Sequence, residues 1–497
     1  MDETQLISVS FDSSAVIAFV AYLFLIIGIG VYASRFSSQG ISEYFIGGRK
    51  MNRFVVALSA VVSGRSAWLL LGVTGMAYAQ GPSAVWAVLG YIIVEIFLFL
   101  YYGRRLRNFT EKRNCITIPD FFAERFNDQD GKLRMTIVVI FLVFMVGYIS
   151  SQFVAGGKAF ASGFGIETDM GVLLTAGIVL VYTIVGGFLA VSLTDMFQAI
   201  FMMLALVILP IIAIMNFGGL QELLSSLAVV DMMYVDPFAV SVGAAIGFLG
   251  IGLGSPGNPH ILARYMSIDD PKQFKYVAVV GTTWNVLMAW GAVFVGLAGR
   301  AYFPEVEMLP GADTENLFPM LAQLQLHPIL FGVVLASIFA AIMSTADSQL
   351  LVAASSVVRD VYEKIIKKGV EVSQAKLVLY SRIVVFLIVI LSLIFGFYAE
   401  DLVFWLVLFA WAGLGASIGP TSILALYWKG TTRAGIFAGL ITGTLVTIVW
   451  YLVPELKSLM YELIPGFFAS LLSTWLVSLF TEPAPDSKKA FEDMFDE

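Results

Sequence analysis

Thirteen apolar runs, joined by short polar segments, constrain this chain more than any other feature. A bilayer core takes about 20 apolar residues per crossing helix, and it admits only backbone whose hydrogen bonds are satisfied internally. The runs are 14–35, 55–79, 83–103, 135–162, 168–190, 196–217, 238–260, 274–300, 329–357, 377–398, 401–428, 433–453 and 458–480. The chain is 59% hydrophobic and 13% charged, against about 25% charged in a soluble domain. We expect an all-α membrane protein with about 13 transmembrane helices in a single domain over 1–480, followed by a polar, mobile tail over 481–497.

Charge orients the runs. If the N-terminus is outside and the C-terminus inside, 24 of the 29 Lys and Arg residues fall on inner segments, including the group from Arg104 to Arg134 and, after the seventh run, Arg264. Outer loops carry acids instead: Glu305, Glu307, Asp313, Glu315, Glu400 and Asp401. This is the positive-inside pattern, and we expect a multi-pass protein of the plasma (inner) membrane. Met1 to Ser14 is polar and acidic, so no cleavable signal peptide is expected. Residues 312–327 read as a short outer amphipathic helix or re-entrant piece. Cys115 is the single cysteine, which excludes an intrachain disulfide, and His260 and His327 are too far apart in sequence to suggest a ligand pair.

Two runs are interrupted. The second holds Val61-Val62-Ser63-Gly64-Arg65-Ser66-Ala67-Trp68, and the seventh ends in Gly250 to Pro259, a stretch with four Gly and two Pro. Unwound backbone at membrane depth is tolerated where it lines a cavity. The two lie five runs apart, the spacing of a five-plus-five inverted repeat with discontinuous helices. Repeat one would cover about 55–217 and repeat two about 238–428.

The ninth run carries an oxygen cluster. Ala341, Ser344, Thr345 and Ser348 share one helix face, and Asp347 flanks it. Hard cations take oxygen ligands, although single Ser and Thr residues in membrane helices often bond back to their own helix. Arg65 lies inside the first interruption. It reads either as a fork for a carboxylate or, more blandly, as a partner for an acid such as Glu95 or Asp347 or a side chain that snorkels into an aqueous cavity. Asp195 reads as an N-cap of the sixth run or as a cation ligand. Lys158, near an outer end, is expected to snorkel. Tyr148, Gln152 and Trp411 are aromatic and polar candidates for a solute cavity.

Several segments together resemble the sodium:solute symporter family over nearly the whole chain, closest in look to its sodium/proline branch. They are Tyr44 to Arg49, Val154 to Lys158, Gly186 to Asp195 with Gln198, Asn258 to Met266, Met343 to Thr345, and Trp411 to Pro420. The resemblance implies a sodium site from the carbonyls of Val62, Arg65 and Ala341 with the hydroxyls of Ser344 and Thr345. It implies a conditional second cation site at Asp195, Ser344, Asp347 and Ser348. Solute candidates are Gly64, Arg65, Ser66, Trp68, Tyr148, Gln152, Ser255 and Trp411. The solute side departs from the proline branch: its acid at the first break is Gly64 here, and its Trp and Tyr of the seventh run are Ile251 and Ser255.

The expected function is a sodium-coupled symporter that imports a small organic solute, an amino acid or other carboxylate, by alternating access. Na+ is the coupling ion, with no organic cofactor. The partners are the solute, sodium and the bilayer, with no nucleic acid and no obligate protein partner evident. A symporter for a neutral solute such as a sugar, or a sensor of the same fold, are the alternatives; about 17 residues after the last run leave no room for a kinase. No segment carries a nucleotide-binding loop, so a pump or other enzyme is not expected.

Overall fold

A computed structural model describes residues 13–37, 40–398 and 403–495. Glu400, Asp401 and nearly all of Met1 to Ser14 lie outside the described residues. Every named element is helical, and an isolated bridge joins Met51 to Ile268. In chain order the principal helices are α1 (Ser13–Ser37), α2 (Arg53–Ser63), α3 (Thr74–Gln80), α4 (Val85–Phe97), α5 (Gly103–Lys112), α6 (Ile118–Phe126), α7 (Lys132–Phe164), α8 (Thr168–Asn216) and α9 (Val242–Gly250). There follow α10 (Pro259–Ser267), α11 (Phe274–Tyr302), α12 (Leu317–Gln325), α13 (Pro328–Ser355), α14 (Gln374–Phe397), α15 (Val403–Tyr427), α16 (Arg433–Leu452), α17 (Leu463–Leu479) and α18 (Pro485–Glu492).

Nine helical stretches among the described residues are long and apolar enough to cross a membrane. They do not match the thirteen runs one for one, for local reasons. A single stretch, Trp68–Lys112, joins the second half of run two to run three. Runs five and six share α8, which bends at Gly187 (φ 64°, ψ −176°); the Tyr182 hydroxyl donates to the Ala190 carbonyl across the bend at 3.2 Å. The first half of run two, run seven and run thirteen are shorter apolar helices. Local chemistry sets several starts. Asn52 caps α2 by accepting from Phe54 N, and Thr432 caps α16 by accepting from Gly435 N. Pro259 and Pro328 open α10 and α13, where a missing N–H costs nothing. The outer segment expected around 312–327 contains α12.

Both interruptions are real. After α2 the chain tightens, with Gly64 N and Arg65 N donating to the carbonyls of Val61 and Val62 at 3.1 Å each. Ser66 then takes φ 49° before the helix resumes at Trp68. The second break is a tight helical run over Ile251–Gly257, closed by extended Asn258, whose amide donates to the Gly254 carbonyl at 2.8 Å. Small residues let this break approach its neighbours. A Cβ on Gly252 would stand 2.1 Å from the Gly90 carbonyl oxygen of α4, and one on Gly254 would stand 1.9 Å from Trp411 Nε1 of α15. α13 packs centrally against α1, α7 and α8, while α15 packs against the second break, α7, α16 and α17.

The two ends of the bundle differ. At one end Arg134 pairs with Asp120 and Asp360, Arg359 pairs with Asp120 at 3.1 Å, and Arg433 pairs with Asp128 and Asp130. Burial raises the Asp120 carboxyl, but Arg134 and Arg359 outweigh it and hold the group below its ordinary range. At the other end Lys158 meets Asp313 at 2.7 Å and Glu315 at 2.6 Å, so it is paired with acids and does not snorkel. The tail also departs from expectation. α18 docks at the basic end, where Arg125 donates to the Ser487 carbonyl at 2.7 Å, Arg113 pairs with Asp493 and Lys429 with Glu492, and Ala490, Phe491 and Met494 are buried. Its apolar residues, spaced along a short helix, find a ready surface there.

Gly252→Ala should lower the thermal unfolding midpoint in detergent, by the equivalent of about 1–3 kcal/mol of overpacking. Gly177→Ala, where nothing lies within 4 Å, should leave the midpoint unchanged or slightly raised.

Candidate cation and solute site

A helix that stops inside a bundle leaves carbonyls without intrahelical partners, and its C-terminal end carries partial negative charge. α2 stops in this way at Ser63, and the oxygen face of α13 lies against it. Ser344 Oγ donates to the Ala341 carbonyl at 3.1 Å and reaches the Val62 carbonyl at 3.5 Å. Thr345 Oγ1 donates to the Ser63 carbonyl at 3.1 Å. All five residues are buried. Of the oxygens expected from sequence, those of Val62, Ala341, Ser344 and Thr345 are brought together. The Arg65 carbonyl instead accepts from Leu69 N at 3.1 Å as the helix resumes, and the Ser63 carbonyl, which sequence reasoning missed, faces Thr345. Rotating the two hydroxyl protons outward would turn their lone pairs, with these carbonyls, toward a cation. Such an all-oxygen donor set suits a hard cation such as sodium.

The second cluster has a different character. Asp195 does not cap a helix, since α8 runs through it from Gly187 onward. Its Oδ2 accepts from Ser59 Oγ at 2.6 Å, Ser63 Oγ at 3.2 Å and Arg264 Nη2 at 3.2 Å. Arg264 Nη2 also donates to Ser348 Oγ, and its Nε donates to Ser59 Oγ at 3.1 Å. Sequence reasoning had counted Arg264 as an inner-loop charge; it is 1% exposed and bridges Asp195 to Ser348. The guanidinium therefore already supplies positive charge at the conditional second site. Asp347 stands apart from that bridge: its Oδ1 accepts from Ser348 at 3.1 Å, while Oδ2 has no hydrogen-bond partner among the described residues. The signal for Arg264 was its place at the end of an apolar run, five residues after Pro259.

Between the two breaks lies a small cavity with room for about one water molecule, lined by Gly64, Arg65, Trp68, Tyr91, Tyr148, Ile251, Val407, Leu408 and Trp411. Five of the eight expected solute residues are there. Ser66, Gln152 and Ser255 are not. Ser66 Oγ accepts from Trp68 N at 3.1 Å and from the Tyr148 hydroxyl at 3.4 Å, and Gln152 Oε1 accepts from Ala67 N at 3.1 Å. Those two residues brace the break. Ser255 is buried within the second break, and its Oγ has no hydrogen-bond partner among the described residues. Trp411 Nε1 donates to the Ile251 carbonyl at 2.8 Å, which ties α15 to the second break.

Arg65 is settled by its neighbours. It pairs with Glu95, and its Nε donates to Asn285 Oδ1 at 2.9 Å. The Asn285 amide donates to the other oxygen of Glu95. The Tyr91 ring centre lies 3.8 Å from the guanidinium carbon. Of the readings of Arg65, the structure takes the partner of an acid.

A family model described as the sodium:solute symporter family matches residues 44–443. Sodium/proline symporters of Staphylococcus aureus, among them those of strains JH9 and NCTC 8325 / PS 47, are 38% identical over 482 residues, covering 94% of this chain and 92% of theirs. The fold is similar to a Na+-coupled sialic acid symporter in a substrate-bound outward-open state, with TM-score 0.80, 20% identity, and coverage of 96% of this chain and 100% of that one. It is also similar to a nucleobase-cation-symport-1 family transporter in a closed conformation, with TM-score 0.57, 13% identity, and coverage of 92% and 99%.

Asp195→Asn should strand a buried guanidinium and cost roughly 3–5 kcal/mol. Adding Arg264→Gln to Asp195→Asn should recover much of that loss. Thermal unfolding of the two single variants and the double variant in detergent measures the coupling.

Proposed function

The chain belongs to the sodium:solute symporter family, and on that premise we propose that it imports a small, net-neutral organic solute, with an amino or imino acid the first choice, by sodium-driven alternating access. The observation that carries the sodium half is the meeting of the Ser344 and Thr345 hydroxyls with the carbonyls at the end of α2. Sodium would bind there among the oxygens of Val62, Ser63, Ala341, Ser344 and Thr345. It would bridge the first broken helix to α13, so that ion binding and the packing of one repeat against the other are a single event.

The solute half rests on the cavity between the breaks. Its one guanidinium among the described residues is already paired with Glu95, which supports a solute without net charge. The sodium/proline symporters at 38% identity favour a zwitterion over a sugar. In its present closed shape the cavity admits about one water molecule, so loading a solute requires the breaks to move apart.

Thirteen crossings, N-out and C-in, with a five-plus-five inverted repeat, complete the proposal. Two features support it: the breaks in runs two and seven, and the grouping of Arg107, Arg125, Arg134, Arg359 and Arg433 around the basic end, away from Lys158 with its acids. The second cation position would belong to Arg264, leaving Ser344 and Thr345 to the driving ion.

Ser344→Ala with Thr345→Ala should raise the sodium concentration for half-maximal uptake by about tenfold or more per lost ligand-sized interaction. The folding cost of two hydroxyls should stay near about 1 kcal/mol each. Sodium activation of uptake in proteoliposomes, run beside thermal unfolding, checks both; unchanged sodium dependence would remove the site.

A further inference from the structure

Each Arg65 nitrogen has a polar neighbour, and Nη2 meets Glu95 as an ion pair rather than through a hydrogen bond. Its Nη2 pairs with Glu95, its Nε donates to Asn285 at 2.9 Å, and its Nη1 reaches the Gly64 carbonyl at 3.3 Å. Asn285 closes the triangle by donating to Glu95. The arrangement joins the first break to α4 and α11, and the Arg65 and Glu95 side chains are 1% and 2% exposed. Tyr91 covers one face of the guanidinium. Tyr91 and Trp68 both line the cavity, and the Tyr91 hydroxyl and Trp68 Nε1 are buried without a hydrogen-bond partner among the described residues.

An arginine on a dry cavity wall would ordinarily be the strongest anion-binding group available, because its fork matches a carboxylate. Here an internal carboxylate, the Asn285 side chain and the Gly64 carbonyl share those nitrogens. We propose that Glu95, acting through Arg65, sets the charge selectivity of the solute cavity: it keeps the wall neutral, denies the guanidinium to anions, and leaves Trp68 Nε1 and the Tyr91 hydroxyl to meet the acceptor oxygens of a net-neutral solute. Glu95 is thus a positioning residue that determines specificity. The inference rests on the cavity between the breaks being the solute site.

The test uses the full chain in proteoliposomes under a sodium gradient, with labelled L-proline as the neutral zwitterion, L-glutamate as the anion and L-lysine as the cation. Wild type should carry proline and exclude the other two. Glu95→Gln keeps the shape of the side chain and frees the positive charge, and it should raise the glutamate-to-proline uptake ratio by about tenfold or more. Arg65→Gln with Glu95→Gln restores neutrality and should carry proline with no gain for glutamate, an outcome that a purely structural role for the pair would not produce. Asn285→Asp adds a negative charge beside the same guanidinium and should shift the ratio toward lysine; it decides the matter if Glu95→Gln fails to reach the membrane. Glutamate uptake by wild type, or unchanged ratios in both single variants, would overturn the assignment of Glu95 while leaving sodium symport intact. Wild type that carries no neutral solute from a panel of amino acids and sugars under a sodium gradient would overturn the functional reading itself, and this inference with it.

Discussion

The end of α2 inside the bundle is the constraint on which the rest of this structure depends. Carbonyls at a helix terminus need partners, and no water is available in hydrocarbon to supply them. Val62 and Ser63 present theirs to Ser344 and Thr345. Short hydroxyl side chains suit this role because they bond equally well to a carbonyl or to an ion. α13 can approach so closely because its face there is built from Ala341, Ser344, Thr345 and Ser348, with no bulky side chain between the helices. The second break repeats the solution with different chemistry: Asn258 and Trp411 satisfy the carbonyls of Gly254 and Ile251, and glycines admit α4 and α15 to backbone contact.

Charge inside the bundle is arranged in the same spirit. Arg65 and Arg264 are buried beside the breaks, and each is held by a carboxylate and by neutral polar groups: Arg65 by Glu95 and Asn285, Arg264 by Asp195, Ser59 and Ser348. Buried pairs of this kind contribute little net stability, because desolvation offsets their attraction, but losing one partner is expensive. Their value lies in specifying geometry. Each pair crosses between helices, so each ties a break, or the segment beside it, to a neighbour. Arg65 ties the first break to α4 and α11, and Arg264 ties the segment after the second break to α8 and α13.

The ends of the bundle add a second set of ties. α18 lies across α5, α6 and the turn after α15, held by Arg125, Arg113 and Lys429. Lys158 holds the acidic segment before α12 to α7. The Arg113, Lys429 and Lys158 pairs are partly exposed and can be made and broken at modest cost, whereas Arg125 and Glu315 are buried.

The sequence by itself determined that this chain is a membrane protein of many helices, because apolar length and the bias of Lys and Arg act locally and need no partner. It also marked both breaks, since Gly and Pro weaken a helix wherever they stand, and it marked Ser344 and Thr345, since hydroxyls aligned at helical spacing share a face. Tertiary structure decided what spacing cannot express. Arg65 could have met a solute or an acid, and only the approach of α4 and α11 gives it Glu95 and Asn285. Arg264 read as a loop charge until folding placed it between Asp195 and Ser348, residues 69 and 84 positions away. The polar tail carried too little apolar surface to announce a docking site, and the basic end supplied one. In each case the deciding interaction joins residues far apart in the chain, and its energy exists only once the helices that carry them are packed.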